Sequence, residues 1–127
     1  MRWLFFIAVL SLGLVACGSS GSKPAVHGVP VTFGTEGGNM VPFTIKISAT
    51  GAVSGTLRTT KSHVAAAVTA AANTDFSGVS NRQCAGTLPD VTSRFVTIGG
   101  RSVTVHGGCE PAFEKLWGKL TAAVGIR

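Results

Sequence analysis

Apolar and polar residues alternate most regularly along residues 43–49, the stretch FTIKISA. A period of two is typical of a strand with one buried side, and the residues after Gly51 continue the alternation. The apolar residues of the two strands share one face of the hairpin only if the loop has three residues, Thr50-Gly51-Ala52. This loop places Ile45 opposite Leu57. The sequence therefore predicts a β-hairpin with Gly51 in the left-handed backbone region.

A second hairpin is predicted over residues 93–106. Gly99-Gly100 suits a two-residue turn, which places Val96 opposite Val103 and directs both toward the interior. His106 then falls on the outer side, because side chains alternate between the two faces of a strand. A shorter strand over Val29–Thr35 is expected at the sheet edge, because a proline such as Pro30 cannot donate to a central ladder.

Two stretches have the period of helices. The first covers residues 62–76, with Ser62 as its N-cap and an apolar stripe at Val64, Ala67, Val68, Ala71 and Ala72. The second starts at Pro111, ends before Gly125, and has an apolar side made of Phe113, Leu116, Trp117, Leu120, Ala123 and Val124. The predicted fold class is α+β: a two-layer sandwich in the order β-β-α-β-β-α, with an antiparallel sheet of four to five strands and both helices on one face.

The N-terminus has the features of a bacterial export signal. Arg2 precedes apolar residues 3–16, which span about 21 Å as a helix, too short to cross the hydrocarbon core. The segment ends in Leu14-Val15-Ala16-Cys17, which resembles the lipobox of bacterial lipoproteins. The resemblance implies cleavage before Cys17 and acylation of Cys17 by palmitate or a similar chain. That would anchor the protein outside the cytoplasm on the cell membrane, or on the outer membrane where the organism has one.

This interpretation divides the chain into a signal peptide (1–16), a lipidated cysteine with a flexible tether (17–30) and a single domain (31–127). The formal net charge is +6, and the basic residues are scattered along the chain. Since no dense basic run occurs, we expect no nucleic-acid partner. The chain is expected to be a monomer in the cell envelope, with an envelope protein or polymer as its partner.

The other two cysteines, Cys84 and Cys109, are predicted to form a disulfide, because an exported chain meets an oxidising compartment. A zinc site that adds His63 and His106 is the alternative. The sequence disfavours it, because Cys84 has no partner at C-x₂₋₄-C spacing. We predict neither a metal nor a cofactor, and the glycines of TEGGN are not a phosphate loop because no GK[ST] and no helix follow them.

The sequence contains no convergent catalytic set. Its pattern resembles small secreted bacterial domains of uncharacterised function, through S-x-x-G-x-V at residues 48–53, Gly99-Gly100 and the helix over 113–120. Some of those domains look like inhibitors of secreted proteases. The first hypothesis is therefore a non-enzymatic, lipid-anchored binding or structural protein, with inhibition of a secreted hydrolase as one option.

The candidate contacts for such a partner lie in two loops that have no hydrophobic periodicity, namely at Thr35, Glu36, Gly37, Gly38, Asn39, Asn81 and Arg82. The alternative hypothesis is a small envelope hydrolase that uses Asp75, Asp90 or His106. It requires a cleft that brings such groups together.

Overall fold

The computed structural model describes residues 28–126, so the signal peptide, Cys17 and most of the tether lie outside the described residues. Within this range the elements follow in the order β1 (Val31–Glu36), β2 (Thr44–Ile47), β3 (Val53–Gly55), α1 (Ala66–Phe76), β4 (Arg82–Gln83), β5 (Ser93–Ile98), β6 (Arg101–His106) and α2 (Pro111–Val124). The strands form one sheet in the order β3-β2-β1-β5-β6-β4, antiparallel except for β4 and β6. The α+β class is confirmed, but the sheet has six strands rather than four to five, and the order of elements differs.

The first strand is the largest correction to the predicted topology. β1 lies at the centre of the sheet, because Val31–Gly34 pair with β2 and Val31–Glu36 pair with β5. Pro30 precedes the strand and is exposed, so its missing N–H group removes no ladder hydrogen bond. Gly28 already donates its N–H to the carbonyl of Ala49 over 2.8 Å, so the folded part begins before residue 31.

The hairpin of β2 and β3 has the predicted three-residue loop, but the loop is Ala49-Thr50-Gly51. Ile45 lies opposite Gly55 rather than Leu57, a shift of two residues that keeps the apolar faces matched. The Ser48 side chain explains the choice, because its Oγ accepts the Ala52 N–H over 3.1 Å while the two backbones also pair. Gly51 has a φ of 89°, as predicted.

The hairpin of β5 and β6 is confirmed in register: Ile98 pairs with Arg101, Val96 with Val103 and Arg94 with Val105. Gly99 and Gly100 both have positive φ, which matches the twist of the flanking strands. The inward positions of β1, β2, β5 and β6 form the sheet side of a single core, made of Val31, Phe33, Ile45, Ile47, Val96, Ile98, Val103 and Val105.

The helices cover this apolar face. In α2 the buried residues are Phe113, Leu116, Leu120 and Val124, as the periodicity predicted, and Gly125 ends the helix with a φ of 76°. α1 begins at Ala66, later than predicted, because His63 forms a β-bridge with Ala52 and the N–H of Val64 donates to the carbonyl of Gly51. Thr69, Ala72 and Phe76 are its buried residues, whereas the predicted stripe positions Ala67 and Ala71 are exposed.

The predicted disulfide joins Cys84 and Cys109, whose Cα atoms are 5.7 Å apart. Because both sulfur atoms are in the bond, the alternative Cys₂His₂ zinc site is wrong. The bridge fixes the loop after β4 to the start of α2, and the Cys84 N–H also bonds to the carbonyl of His106.

Candidate functional site

Two loops meet at one end of the sheet, where β1 finishes and β5 starts. The first covers residues 37–43 and the second residues 84–92, and we call this region the loop end. The N–H of Asn39 donates to the carbonyl of Asp90 over 3.1 Å. Gly38 lies so close to Asp90 and Thr92 that a Cβ atom would be 2.7 Å from their backbones. The two loops therefore form one surface.

The loop end concentrates exposed apolar side chains. Met40 and Val41 are 74% and 90% exposed, and Leu88 and Val91 are 64% and 41% exposed. These are four of the five large hydrophobic residues that are exposed within residues 28–126; the fifth, Leu57, follows β3 near the same end. Exposed apolar residues that cluster in this way mark contact sites more often than scattered ones do.

A polar pocket of about 410 Å³ lies on the sheet face that carries no helices, which we call the open face. It is lined by Asn81, Arg82, Gln83, Ser93, Thr104 and His106. β4 pairs in parallel with the end of β6, so Gln83 lies beside His106. Asn81 Oδ1 accepts the N–H of Thr104 over 2.7 Å, which fixes the orientation of the Asn81 amide and turns its NH₂ group away from that bond.

His106 uses both ring nitrogens. Its Nε2 lies 3.1 Å from the carbonyl of Leu88, and its Nδ1 lies 2.8 Å from Ser93 Oγ. A carbonyl only accepts, so Nε2 carries a proton. In the neutral ring Nδ1 is then the acceptor, and the Ser93 hydroxyl donates to it. His106 is half-buried, and it lies on the open face across the sheet from the helices.

The predicted contact residues fall into two separate groups. Thr35 and Glu36 are the last residues of β1, and Gly37, Gly38 and Asn39 follow in the loop end. Asn81 and Arg82 lie at the edge strand β4, where Arg82 is level with Val105, Arg94 and Thr35 across the sheet and lies 3.5 Å from Glu110. Strands β5 and β6 lie between the two groups.

The candidate hydrolase residues lie in three different parts of the domain. Asp75 lies in the last turn of α1, in the helix layer, where Lys119 Nζ lies 2.7 Å from its carboxylate. The hydrogen bond from Lys119 is the main cause that lowers the pKa of Asp75. Asp90 is exposed in the loop end, and His106 lines the polar pocket on the open face.

Sequence reasoning missed the exposed apolar residues of the loop end and the serine that bonds to His106 in the polar pocket. Met40, Val41 and Leu88 read as ordinary loop apolar residues, although MVP and TLPD place them in segments with turn residues rather than in a periodic pattern. Ser93 was recognisable only once the register of β5 and β6 put it beside His106. The half-buried Trp117, in contrast, packs in the core as predicted, with its ring centroid 5.6 Å from that of Phe33.

A second concavity, of about 570 Å³, lies between the helices and is lined mainly by alanine residues of α1 and α2.

Across residues 28–126, no three His, Cys, Asp or Glu side chains are grouped as a metal site would require. In the same range, neither helix is long and apolar enough to cross a membrane. Comparison with protein-family models, with curated proteins and with solved structures gives no match for this chain.

Proposed function

We propose that this chain is a lipid-anchored, extracytoplasmic binding protein of the bacterial envelope, and that the loop end is its contact with a protein partner. The observation that carries the proposal is the clustering of Met40, Val41, Leu88 and Val91 on two loops that are tied to each other. An exposed apolar centre with polar surroundings is typical of protein contact surfaces. An inhibitor of a secreted hydrolase is one protein that would use such a surface.

The location of the chain is a separate part of the proposal. It rests on the lipobox-like Leu14-Val15-Ala16-Cys17 and on the disulfide, a bond that persists outside the cytoplasm. Cys17→Ser tests the anchor: we expect the variant to leave the membrane fraction, whereas the wild type stays in it. A variant that fractionates with membranes as the wild type does would contradict the anchor.

Site-specific photo-crosslinking tests the contact surface. A photoreactive residue at Val41 or Leu88 should give one defined protein adduct in living cells. The same residue at Asn73, which is exposed on α1, is the matched control and should give none. Equal adducts from all three positions, or an adduct from Asn73 alone, would place the contact elsewhere.

A charge variant gives the complementary test. Val41→Asp introduces a carboxylate at a position that is 90% exposed, so it should change folding stability by less than about 0.5 kcal/mol. At the centre of an apolar contact the same carboxylate would be desolvated, and we expect the crosslink from Leu88 to fall by about tenfold or more. Asn73→Asp adds the same charge on α1 and should leave that crosslink unchanged.

A further inference from the structure

We propose that the polar pocket on the open face binds an uncharged sugar unit of a neutral glycan. The pocket lies on a different surface from the loop end, so this inference goes beyond the function proposed above. Its volume of about 410 Å³ is within the range of small-molecule sites, about 300–1,000 Å³. The ligand class follows from the charges around the pocket, from the hydrogen-bonding groups of its lining and from an aromatic ring at its border.

The charged side chains next to the pocket do not favour an anion. Arg82 is one of the lining residues, but it lies opposite Val105, which is fully buried on the helix side, so the Arg82 side chain lies on that side as well. There its guanidinium is 3.5 Å from the carboxylate of Glu110. Glu36 lies opposite Ser93 on β1 and is not part of the lining. The guanidinium beside the pocket is therefore paired, and the carboxylate of Glu36 opposes an anion.

The groups that line the pocket on the open face both donate and accept hydrogen bonds. Asn81 uses its Oδ1 to accept the N–H of Thr104 over 2.7 Å, which leaves the two N–H donors of its amide. The Ser93 hydroxyl donates to His106 Nδ1, so its oxygen still offers lone pairs. The Thr104 hydroxyl and the Gln83 amide have no hydrogen-bond partner within residues 28–126, and each can donate and accept. A sugar hydroxyl also does both, whereas a carboxylate only accepts and an ammonium group only donates.

The backbone that presents these groups is held in place before a ligand binds. β4 pairs with the end of β6, and the residue after β4, Cys84, is joined to Cys109 by the disulfide. The His106 ring is fixed through both nitrogens, by Ser93 and by the carbonyl of Leu88. Groups that are already ordered lose little conformational freedom on binding, which helps a site to hold a small, strongly hydrated ligand.

Phe95 adds an apolar ring at the border of the pocket. It lies two residues after Ser93 on β5, and its neighbour Val96 is fully buried, so the Phe95 side chain lies on the open face. It is half-buried there, between Gly34 of β1 and Thr104 of β6. Among the open-face positions of β1, β2, β5 and β6, Phe95 is the only large apolar side chain. The C–H face of a pyranose packs on an aromatic ring while its hydroxyl groups reach polar neighbours, so this combination favours a sugar over an open-chain polyol.

Nuclear magnetic resonance titration of the full-length Cys17→Ser chain tests the site. The probes are two uncharged trisaccharides, cellotriose and triacetylchitotriose, and sorbitol is the control for hydroxyl groups without a ring. We expect saturable shifts of the amide signals of residues 81–83, 93, 95 and 104 with at least one trisaccharide, and none with sorbitol at the same concentration. The stronger trisaccharide shows whether the site prefers a hydroxyl or an acetamido substituent. In a separate pair, methyl glucoside should bind several-fold more tightly than methyl glucuronide, which has the same ring with a carboxylate.

Thr104→Val is the informative variant, because it removes a hydroxyl from the lining and keeps the shape of the side chain. Binding of the trisaccharide should weaken by about fivefold or more. Thr32→Val is the matched control, since Thr32 is also half-buried on the open face but lies outside the lining, and it should leave the affinity within about twofold. Phe95→Leu keeps an apolar side chain, removes the aromatic ring and should weaken binding by about threefold or more. The melting temperature of each variant checks that it is folded.

Four results would overturn the proposal. They are no saturable shifts at these residues with either trisaccharide, equal shifts with sorbitol, tighter binding of methyl glucuronide than of methyl glucoside, and equal weakening by Thr104→Val and Thr32→Val, which would indicate a general effect on the sheet. Because the loop-end crosslinks are measured separately, failure here leaves the proposed function standing, and the reverse also holds.

Discussion

Removal of the disulfide should cost the domain a large part of its stability. Cys84 and Cys109 are 25 residues apart, and closing a loop of that length lowers the entropy of the unfolded chain. In the chain-entropy model this corresponds to about 3.5 kcal/mol at 25 °C. A domain of this size has a total stability of about 5–15 kcal/mol, so the predicted loss is about a quarter or more of the total and leaves the variant folded.

In the folded state the bridge makes few stabilising contacts, so its main effect is to lower the entropy of the unfolded chain. Cys84 is 6% exposed and packs in the core, where an alanine replaces most of its volume, whereas Cys109 is exposed. The N–H of Cys109 lies 3.0 Å from Cys84 Sγ, a weak contact that water can replace at an exposed position. The double variant Cys84→Ala/Cys109→Ala therefore tests mainly the unfolded state.

Urea unfolding followed by Trp117 fluorescence measures the effect, since this side chain lies among Phe33, Phe43 and Phe113 in the folded domain. In a Cys17→Ser background, we expect the double variant to lose about 3.5 kcal/mol and its m-value to rise, because the unfolded chain expands. The reduced parent should match it. A loss below about 1 kcal/mol, or a reduced parent as stable as the oxidised one, would refute the reasoning.

Three further changes test other parts of the fold. Leu116→Ala should destabilise the domain by about 2–5 kcal/mol in urea unfolding, because this side chain is fully buried; a loss under about 1 kcal/mol would contradict that packing. Gly51→Ala should lower the melting temperature, because Gly51 has a φ of 89° and a Cβ atom would collide with the carbonyl of Val64; an unchanged melting temperature would mean that the loop differs. Asp75→Asn should lower stability at neutral pH but not in acid. The depressed pKa of Asp75 means that its pairing with Lys119 stabilises the fold above the ordinary carboxyl pKa of 3.8 and is lost as pH falls below it. An equal difference between the two proteins at pH 7 and at about pH 2 would contradict the pairing.

The parts of the fold that could be predicted are those where several local signals agree. In the β5–β6 hairpin, the two-glycine turn and the Val96–Val103 pair both require the same register. In α2, the position of Pro111, the apolar period and Gly125 all require the same limits. When the turn residues and the apolar positions require the same register or the same helix limits, only one arrangement satisfies both turn geometry and burial.

Prediction failed where two arrangements satisfied the pattern equally well. A shift of two residues in the β2–β3 hairpin leaves every side chain on its face, so hydrophobic matching could not distinguish the registers, and the Ser48 side chain decides between them. The central position of β1 follows from long-range pairing with β5, which no local signal reports. β4 has two residues and therefore no period at all.

The candidate sites were harder to predict than the fold. The glycine-rich turn predicts contacts at Thr35, Glu36 and Asn39, yet the large exposed apolar side chains there are Met40 and Val41. An apolar residue in a loop is as consistent with a buried plug as with exposure, and only the folded chain separates these cases. The polar pocket likewise depends on parallel pairing of β4 with β6, which brings Asn81 beside Thr104 across 23 residues of chain.

The direction of β1 relates the proposed anchor to the proposed contacts. The described chain enters beside the Ala49–Gly51 turn, where Gly28 bonds to Ala49, and β1 then carries it about 20 Å, for six residues, to the loop end. An anchor that precedes Gly28 therefore joins the domain at the end opposite Met40 and Leu88. Had these side chains lain beside Gly28, a lipid surface would compete with a protein for the same apolar area. Because they lie at the far end, attachment to the membrane through the proposed anchor and binding of a protein partner at the loop end are compatible.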